Sequence, residues 1–328
     1  MINAKVIIVG GGPAGSTCAW QLRTHGIECL VLDKQEFPRP KLCAGWITPQ
    51  VIRDLEIDVR AYPLSLSVFK RFRLHISRRD VTLKVNQFAI RRYEFDEWLL
   101  KRSGAAIETH DVKQIKKAGD AYVIDDRYQC RYLVGAGGTN CPVYRQFFKG
   151  PNPRAKDHLI VTREAEFPYE YQDGDCHLWF LQNRLPGYSW YVPKGDGSVN
   201  IGVGGFAERL KANNDTIQRH WDLFMKELER RSLVTNYLTR AKGYRYYVRD
   251  GVDVGHRDRV FLTGDAAGLA TRDMGEGIGP AVESGILAAN AIITGRPFSL
   301  RSVKRYSFPR YWTLVKVGVL YLLSGLKK

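Results

Sequence analysis

The sequence predicts an α/β fold whose parallel sheet draws strands from both ends of the chain and encloses an inserted antiparallel sheet. Three observations predict it. The string VGGGPAGS, with Gly10-x-Gly12-x-x-Gly15, joins an apolar strand to a helix at the N-terminus. A second strand–turn–helix, around Gly264-Asp265-Ala266-Ala267-Gly268, lies near the other end. Between them, residues 158 to 205 alternate in the period of two that marks half-buried strands.

In order, Lys5 to Val9 reads as a buried parallel strand, Gly15 to Thr24 as a helix ended by Gly26, and Glu28 to Leu32 as the next strand. Residues 35 to 50 are rich in Pro, Gly and Lys and begin as loop. Short strands are expected from Val68 to Val85, a helix from Tyr93 to Ser103, and a buried strand at Leu133 to Val134 ending in the turn Gly135-Ala136-Gly137-Gly138. The antiparallel strands are Ile160–Phe167, His177–Leu181, Ser189–Pro193 and Ser198–Val203. One amphipathic helix is expected over Lys211 to Arg231, then strands at Tyr244–Val248 and Val260–Leu262. A long helix follows the glycines at 275 to 279 and runs to about Thr294. The expected division is 1–67, 88–150 and 255–298 for the nucleotide domain, 68–87 and 151–254 for the antiparallel domain, and 299–328 for a tail.

The glycine triplet carries the first chemistry. Gly10 permits the tight turn, Gly12 lets a pyrophosphate approach the backbone, and Gly15 allows close strand–helix packing. The helix N-terminus offers free N–H groups and partial positive charge to phosphates. Asp33, at the end of the second strand, suits the adenosine ribose hydroxyls. With strand, helix and acid in place, this Rossmann-like unit predicts a dinucleotide. The distal motif selects FAD over NAD: an Asp at a strand end facing a helix N-terminus can bind a ribityl hydroxyl, and the helix dipole can stabilise charge on a reduced flavin. A second fingerprint-like string, Gly202-x-Gly204-x-x-Ala207, stands in antiparallel surroundings and reads as a strand-end turn. No dedicated NAD(P)H domain is therefore expected.

Composition narrows the class. With 328 residues, 44% hydrophobic and 26% charged, the chain can bury a large core without staples. None of the six cysteines forms a C-x-x-C pair, so neither an iron–sulfur cluster nor a structural zinc is expected. The opening residues run directly into a strand, so no signal peptide is expected and a cytoplasmic setting follows. The net charge is +16, and after Glu283 eight basic residues follow with no acid. No nucleic-acid motif accompanies this charge. Beside Tyr311, Trp312 and the aliphatic residues to Leu326, it reads either as an interfacial membrane anchor or as a helix docked on the protein itself.

The glycine motif, the GDAAG segment and their separation resemble the FAD-dependent family that includes p-hydroxybenzoate hydroxylase. Within it, Pro40-Lys41-Leu42-Cys43-Ala44-Gly45, Arg92-Tyr93-Glu94-Phe95-Asp96, Tyr188-Ser189-Trp190-Tyr191-Val192-Pro193 and Gly275-Glu276-Gly277-Ile278 are similar to strings of the geranylgeranyl reductase family. The resemblance implies cofactor contacts from Gly10, Gly12, Pro13, Ala14, Gly15, Asp33 and Lys34; from Lys41, Cys43, Ala44 and Gly45; from Arg92 and Val112; and from Gly264, Asp265, Gly275, Gly277 and Ile278. It places Cys43 by the flavin ring as the candidate catalytic group, to gate the flavin or donate a proton. A packing thiol is the alternative. Tyr188, Trp190, Tyr191 and Arg272 are the expected substrate contacts. The sequence departs from the family at Gly137, where a carboxylate is usual, and within Thr271-Arg272-Asp273-Met274, where a proline is usual.

The implied activity is reduction of C=C bonds in an apolar isoprenoid or polyene substrate by hydride transfer from reduced flavin, with NAD(P)H or a reduced ferredoxin or flavodoxin as transient donor. A monooxygenase or halogenase on the same fold is the alternative. An electron-transfer flavoprotein acting on quinone is disfavoured by the cysteine spacing, and a non-enzymatic flavin-bound sensor is the remaining reading.

Overall fold

The computed structural model describes residues 1–77, 79–235, 240–249, 251 and 254–307. Along the chain these form β1 (Ile2–Val9), α1 (Pro13–Thr24), β2 (Cys29–Asp33), β3 (Trp46–Ile47), α2 (Pro49–Asp54), β4 (Leu66–Ile76), β5 (Arg79–Ile90), α3 (Arg92–Arg102), β6 (Ala106–Thr109), β7 (Ile115–Ala118), β8 (Ala121–Ile124), β9 (Tyr128–Gly135), β10 (Leu159–Pro168), β11 (Cys176–Phe180), β12 (Gly187–Pro193), β13 (Ser198–Phe206), α4 (Ala207–Ala212), α5 (Ile217–Arg230), β14 (Lys242–Tyr247), β15 (His256–Arg257), β16 (Val260–Leu262) and α6 (Ile278–Thr294).

One sheet runs β15-β16-β9-β1-β2-β6, with the β7–β8 hairpin attached through β8 to β9. The β16–β9, β9–β1, β1–β2 and β2–β6 pairs are parallel. Strands from the first third and the last third of the chain therefore share one sheet, as the two distant motifs predict. Alternation divides its core. Val6, Ile8, Val31 and Val134 pack with Cys18, Leu22, Ala288 and Ile292 of α1 and α6. Ile7, Leu32, Leu133 and Leu262 face the opposite way, toward Tyr122, Ile124 and Phe148. Both faces are covered, which is why these strands read as continuous apolar runs.

The second sheet runs β14-β10-β13-β12-β11-β4-β5-β3. All its pairs are antiparallel except β11–β4. Helix α5 lays Trp221, Phe224 and Leu228 on one face, against Trp179, Tyr191 and Ile201. The spacing of three and four residues is the stripe an amphipathic helix buries.

Four expectations differ from what the structure contains. The short strands between 68 and 85 are one long hairpin, β4–β5, with a register shift between Phe69 and Arg71. The two-residue strand β3 belongs to this second sheet, although residues 1–67 read as nucleotide domain. The single helix over 211–231 is two helices. Asn213 and Asn214 stop the first, Asn214 at a left-handed φ of 49°, and Thr216 caps the second by accepting the Arg219 N–H at 3.2 Å. Helix α1 starts at Pro13 rather than Gly15, because a proline at the first position gives up no needed N–H.

The expected tail falls largely on 308–328, outside the described residues. Its start is docked on the body: Leu300 and Val303 are buried, and the Arg249 guanidinium donates to the carbonyls of Leu300 (2.5 Å) and Val303. Among the described residues no helix is long and apolar enough to cross a membrane.

Candidate active site

The ends of the parallel strands and one face of the second sheet enclose a cleft of about 700 Å³. The β1–α1 turn forms one end. Gly10 has φ +111°, and a Cβ there would lie 2.5 Å from the Ala136 carbonyl oxygen, so the turn closes tightly on the GAGG turn after β9. At Gly15 a Cβ would lie 1.9 Å from the Gly10 oxygen. Gly12 is different: its one near neighbour is Arg39 Nη2, 3.5 Å away. Gly12, Pro13 and Ala14 line the cleft, and no side chain caps α1. A bare glycine before an uncapped helix N-terminus fits a pyrophosphate. Gly15 is not on the cleft wall; it serves the packing behind it.

Asp33 is buried and lines the cleft. Its Oδ2 accepts the Gly11 N–H at 2.8 Å and its Oδ1 accepts the Gln35 N–H at 3.0 Å, so the acid shapes the turn and fits a ribose at the same point. Lys34 and Val112 stand on the same wall. Sequence reasoning missed Arg39. Its guanidinium lies 3.9 Å from Asp33 Oδ1 and 3.8 Å from Asp96 Oδ2, in the cleft beside the glycine turn. Its position in the string P-R-P-K was the available signal.

The distal motif forms the adjoining wall. Gly264 (φ +55°) sits between Ala14 and Ala281, and its N–H is accepted by Ser284 Oγ at 2.9 Å. Asp265, Gly275, Gly277 and Ile278 line the cleft at the N-terminus of α6. Glu276 accepts the Gly279 N–H at 2.7 Å, and burial pushes its carboxyl up to about 7. Arg154, also unforeseen, clamps the two turns together. It donates to the carbonyls of Thr139 (2.5 Å) and Ala266 (2.7 Å) and lies 3.7 Å from the centre of the Tyr144 ring.

The 40–45 loop crosses the middle. Lys41 Nζ sits 3.2 Å from the centre of the Tyr244 ring. Cys43 lines the cleft, its sulfur accepting the Gly45 N–H at 3.3 Å and its carbonyl accepting from Asn200 Nδ2 at 3.3 Å. Arg92 forms a buried bidentate pair with Asp96, 2.7 Å on both arms, whereas Arg91 pairs outward with Glu166 and Asp196. Arg92 is therefore the arginine on the cleft. Ala44 lines it too. Gly45 (φ +70°) supports the loop from behind, where a Cβ would meet the Ile90 oxygen. Lys194, which pattern reading passed over, is buried and donates to the carbonyls of Ala44 and, at 3.0 Å, Ile90. It ties the Cys43 loop to the second sheet.

The cleft walls also carry the aromatic side chains of Trp46, Tyr188, Trp190, Tyr244 and Tyr246. Tyr188 donates to the Met274 carbonyl at 2.6 Å, and Trp190 Nε1 donates to Asn200 Oδ1 at 2.7 Å. Tyr191 corrects the expected trio. It is fully buried on the other face of β12, in the core under α5, with its hydroxyl donating to the Asp173 carbonyl. Strand alternation sends it away from its neighbour Trp190. Arg272 reaches the cleft and faces His158 at 3.5 Å. The fingerprint-like Gly202 and Gly204 lie within β13 rather than at a turn, and they leave room for the Trp190 indole.

Residues 5–88 match the model of the FAD dependent oxidoreductase family. An uncharacterized protein of Methanosarcina barkeri is 32% identical over 89% of this chain and 76% of its own length. The geranylgeranyl diphosphate reductase of Rhodobacter capsulatus is 26% identical over 94% and 81%. The crystal structure of a geranylgeranyl bacteriochlorophyll reductase-like protein from Thermoplasma acidophilum superposes with a TM-score of 0.75 at 19% identity, covering 96% of this chain and 84% of that one.

Proposed function

Because this chain belongs to the geranylgeranyl reductase family of FAD-dependent oxidoreductases, we propose that it reduces carbon–carbon double bonds of an apolar isoprenoid or polyene substrate. The observation that carries the reading is the continuity of one cleft. It is lined by the glycine turn, by Cys43 and by Trp46, Tyr188 and Trp190. A polar dinucleotide suits the first of these linings and an unsaturated hydrocarbon the last. Bound reduced flavin supplies the hydride.

The chain's own residues do the rest. Gly12, Asp33 and the α1 N-terminus hold phosphate and ribose, while Asp265 and the α6 N-terminus receive the ribityl chain and the flavin. Arg92 and Lys194 fix the Cys43 loop against the place where the two ligands meet. Trp190 and Tyr188 exclude water and orient the hydrocarbon. The 255–298 segment joins the N-terminal nucleotide domain, and the second sheet serves as substrate domain. Arg272, and the basic residues after Glu283, suit an anionic headgroup or leaflet. Electrons would arrive from NAD(P)H or a small reduced carrier docking transiently.

The test is anaerobic. FAD-loaded protein is reduced by light, mixed with a geranylgeranyl lipid, and followed by absorbance and mass spectrometry. Flavin reoxidation matched by a gain of two hydrogens per double bond supports the reading. Indifference to prenyl substrates, with oxygen incorporated into an aromatic one in air, replaces it with a hydroxylase.

A further inference from the structure

Strand β10 alternates Ile160, Thr162 and Glu164 onto the cleft. Glu164 is 3% exposed, and its Oε1 has no hydrogen-bond partner among the described residues. In register, Glu164 stands opposite Gly202 on β13, and Gly202 opposite Trp190 on β12. The middle position of this row carries no side chain, so the carboxyl and the indole share one part of the cavity. Glu166, two residues on, is the contrast. Its Oε1 accepts from Arg91 Nε at 3.0 Å and its Oε2 from Asn200 at 3.4 Å.

We propose that Glu164 sits in the substrate cavity as an uncharged carboxylic acid and donates the proton that completes double-bond reduction. This rests on the alkene-reductase reading. The step balances. The substrate gains hydride on one carbon and the Glu164 proton on its neighbour. The π bond breaks, two C–H bonds form, and the Glu164 O–H bond breaks to leave a carboxylate. The two electrons come from the reduced flavin, which ends oxidised; water entering after product leaves restores the acid.

Two physical arguments support the assignment. A buried ionised carboxylate without hydrogen bonds is costly, so burial favours the protonated form and pushes Glu164 up to about 8. The groups facing it are Lys41, Arg92 and Lys194, which favour the carboxylate, and Glu166, Tyr188 and Tyr246, which do not. The three cations moderate the shift and stabilise the carboxylate left by proton transfer. Two carboxyls on one strand face thus have different surroundings: Glu166 is held by Arg91 and Asn200, whereas Glu164 Oε1 has no partner among the described residues.

The experiment has two arms on FAD-loaded protein. In infrared difference spectra, wild type is expected to show a protonated-carboxyl band at neutral pH that titrates near 8 and is absent from Glu164→Gln. That variant separates it from Glu276. If the wild-type-minus-Glu164→Gln difference spectrum holds no such band at pH 6, the proposal is overturned, whatever the substrate. In the kinetic arm, Glu164→Gln and Glu164→Leu are reduced by light and mixed with a prenyl substrate. Flavin reduction is expected to be unchanged while reoxidation by substrate slows on the order of a hundredfold. The alkaline limb near pH 8 disappears with it. Wild-type rates in both variants overturn the proton-donor role. A wild-type protein that ignores every prenyl substrate but keeps the band overturns the reductase reading and with it the proton transfer, leaving the buried neutral acid established. If Glu164→Gln fails to load FAD, Glu164→Leu supplies the comparison in both arms.

Discussion

The Trp190 indole lies across Gly202 so closely that a Cβ on Gly202 would stand 2.2 Å from indole Cζ2. No side chain fits under that ring. At Gly204 the nearest atoms, Thr162 Cγ2 and Trp190 Cζ3, are 3.3 and 3.4 Å from the corresponding point. Gly202→Ala is expected to displace the indole, lower stability by about 1–3 kcal/mol and weaken hydrocarbon binding. Gly204→Ala is expected to cost clearly less. Thermal melts and binding of a fluorescent prenyl analogue measure both; equal effects would mean that the indole moves freely.

Arg154 joins two loops that sequence separates by more than a hundred residues. Arg154→Met leaves the carbonyls of Thr139 and Ala266 without their donor and empties the face of Tyr144. A loss of about 2–4 kcal/mol in unfolding free energy is expected, with weaker FAD retention on dialysis. Arg154→Lys is expected to recover only part of it, since an ammonium cannot donate to both loops and stack as a planar group.

His75 and His177 form a buried relay under Trp179. His75 Nδ1 meets Asp80 at 2.7 Å, the two rings meet at 3.0 Å, and His177 Nε2 meets Asp173 at 3.1 Å. Burial is the main cause holding both imidazoles down, His177 to about 4 against an ordinary 6.5. The unfolded chain therefore takes up protons before the native one does. The stabilisation is full above pH 6.5 and is lost as pH falls toward 4, by at most about 3 kcal/mol for His177. Denaturant midpoints should fall across that window in wild type and fall less in His177→Gln. A flat profile in wild type would contradict the assignment.

Tyr188 and Tyr191 separate cavity from core. Tyr191→Ala should cost about 3–5 kcal/mol by opening a cavity beside Trp179 and Phe224. Tyr188→Phe should cost less, about 1–2 kcal/mol for the Met274 carbonyl left without its donor, and raise KM for the lipid. Melting curves and steady-state kinetics of the two variants distinguish the roles.

The β-α-β start was legible because its signals are local: three glycines, a proline and an acid within one unit. The distal GDAAG strand–turn–helix was legible for the same reason. Within the second sheet the strands could be read, but the faces of Tyr188, Trp190 and Tyr191 depended on applying the period of two strictly, which would have excluded Tyr191. The Asn213-Asn214-Asp215-Thr216 run announces a helix stop and a new cap, and reading one helix across it overlooked that turn chemistry. Lys194, Arg154 and Glu164 were illegible for another reason. Each gains its role from partners remote in sequence, as when Lys194 reaches Ala44. Residue type alone marks such groups as ordinary surface charges.

The two nucleotide motifs press directly on each other. A Cβ at Gly285 would lie 2.4 Å from the Ala14 oxygen, and Gly264 fits between Ala14 and Ala281. For a chain emerging from the ribosome, the first helix waits for its packing surface until α6 has left the exit tunnel. The FAD pocket cannot be completed on a nascent N-terminal fragment. Loading thus follows the synthesis of α6, and truncation before residue 285 would leave a strand–helix unit with an uncovered apolar flank.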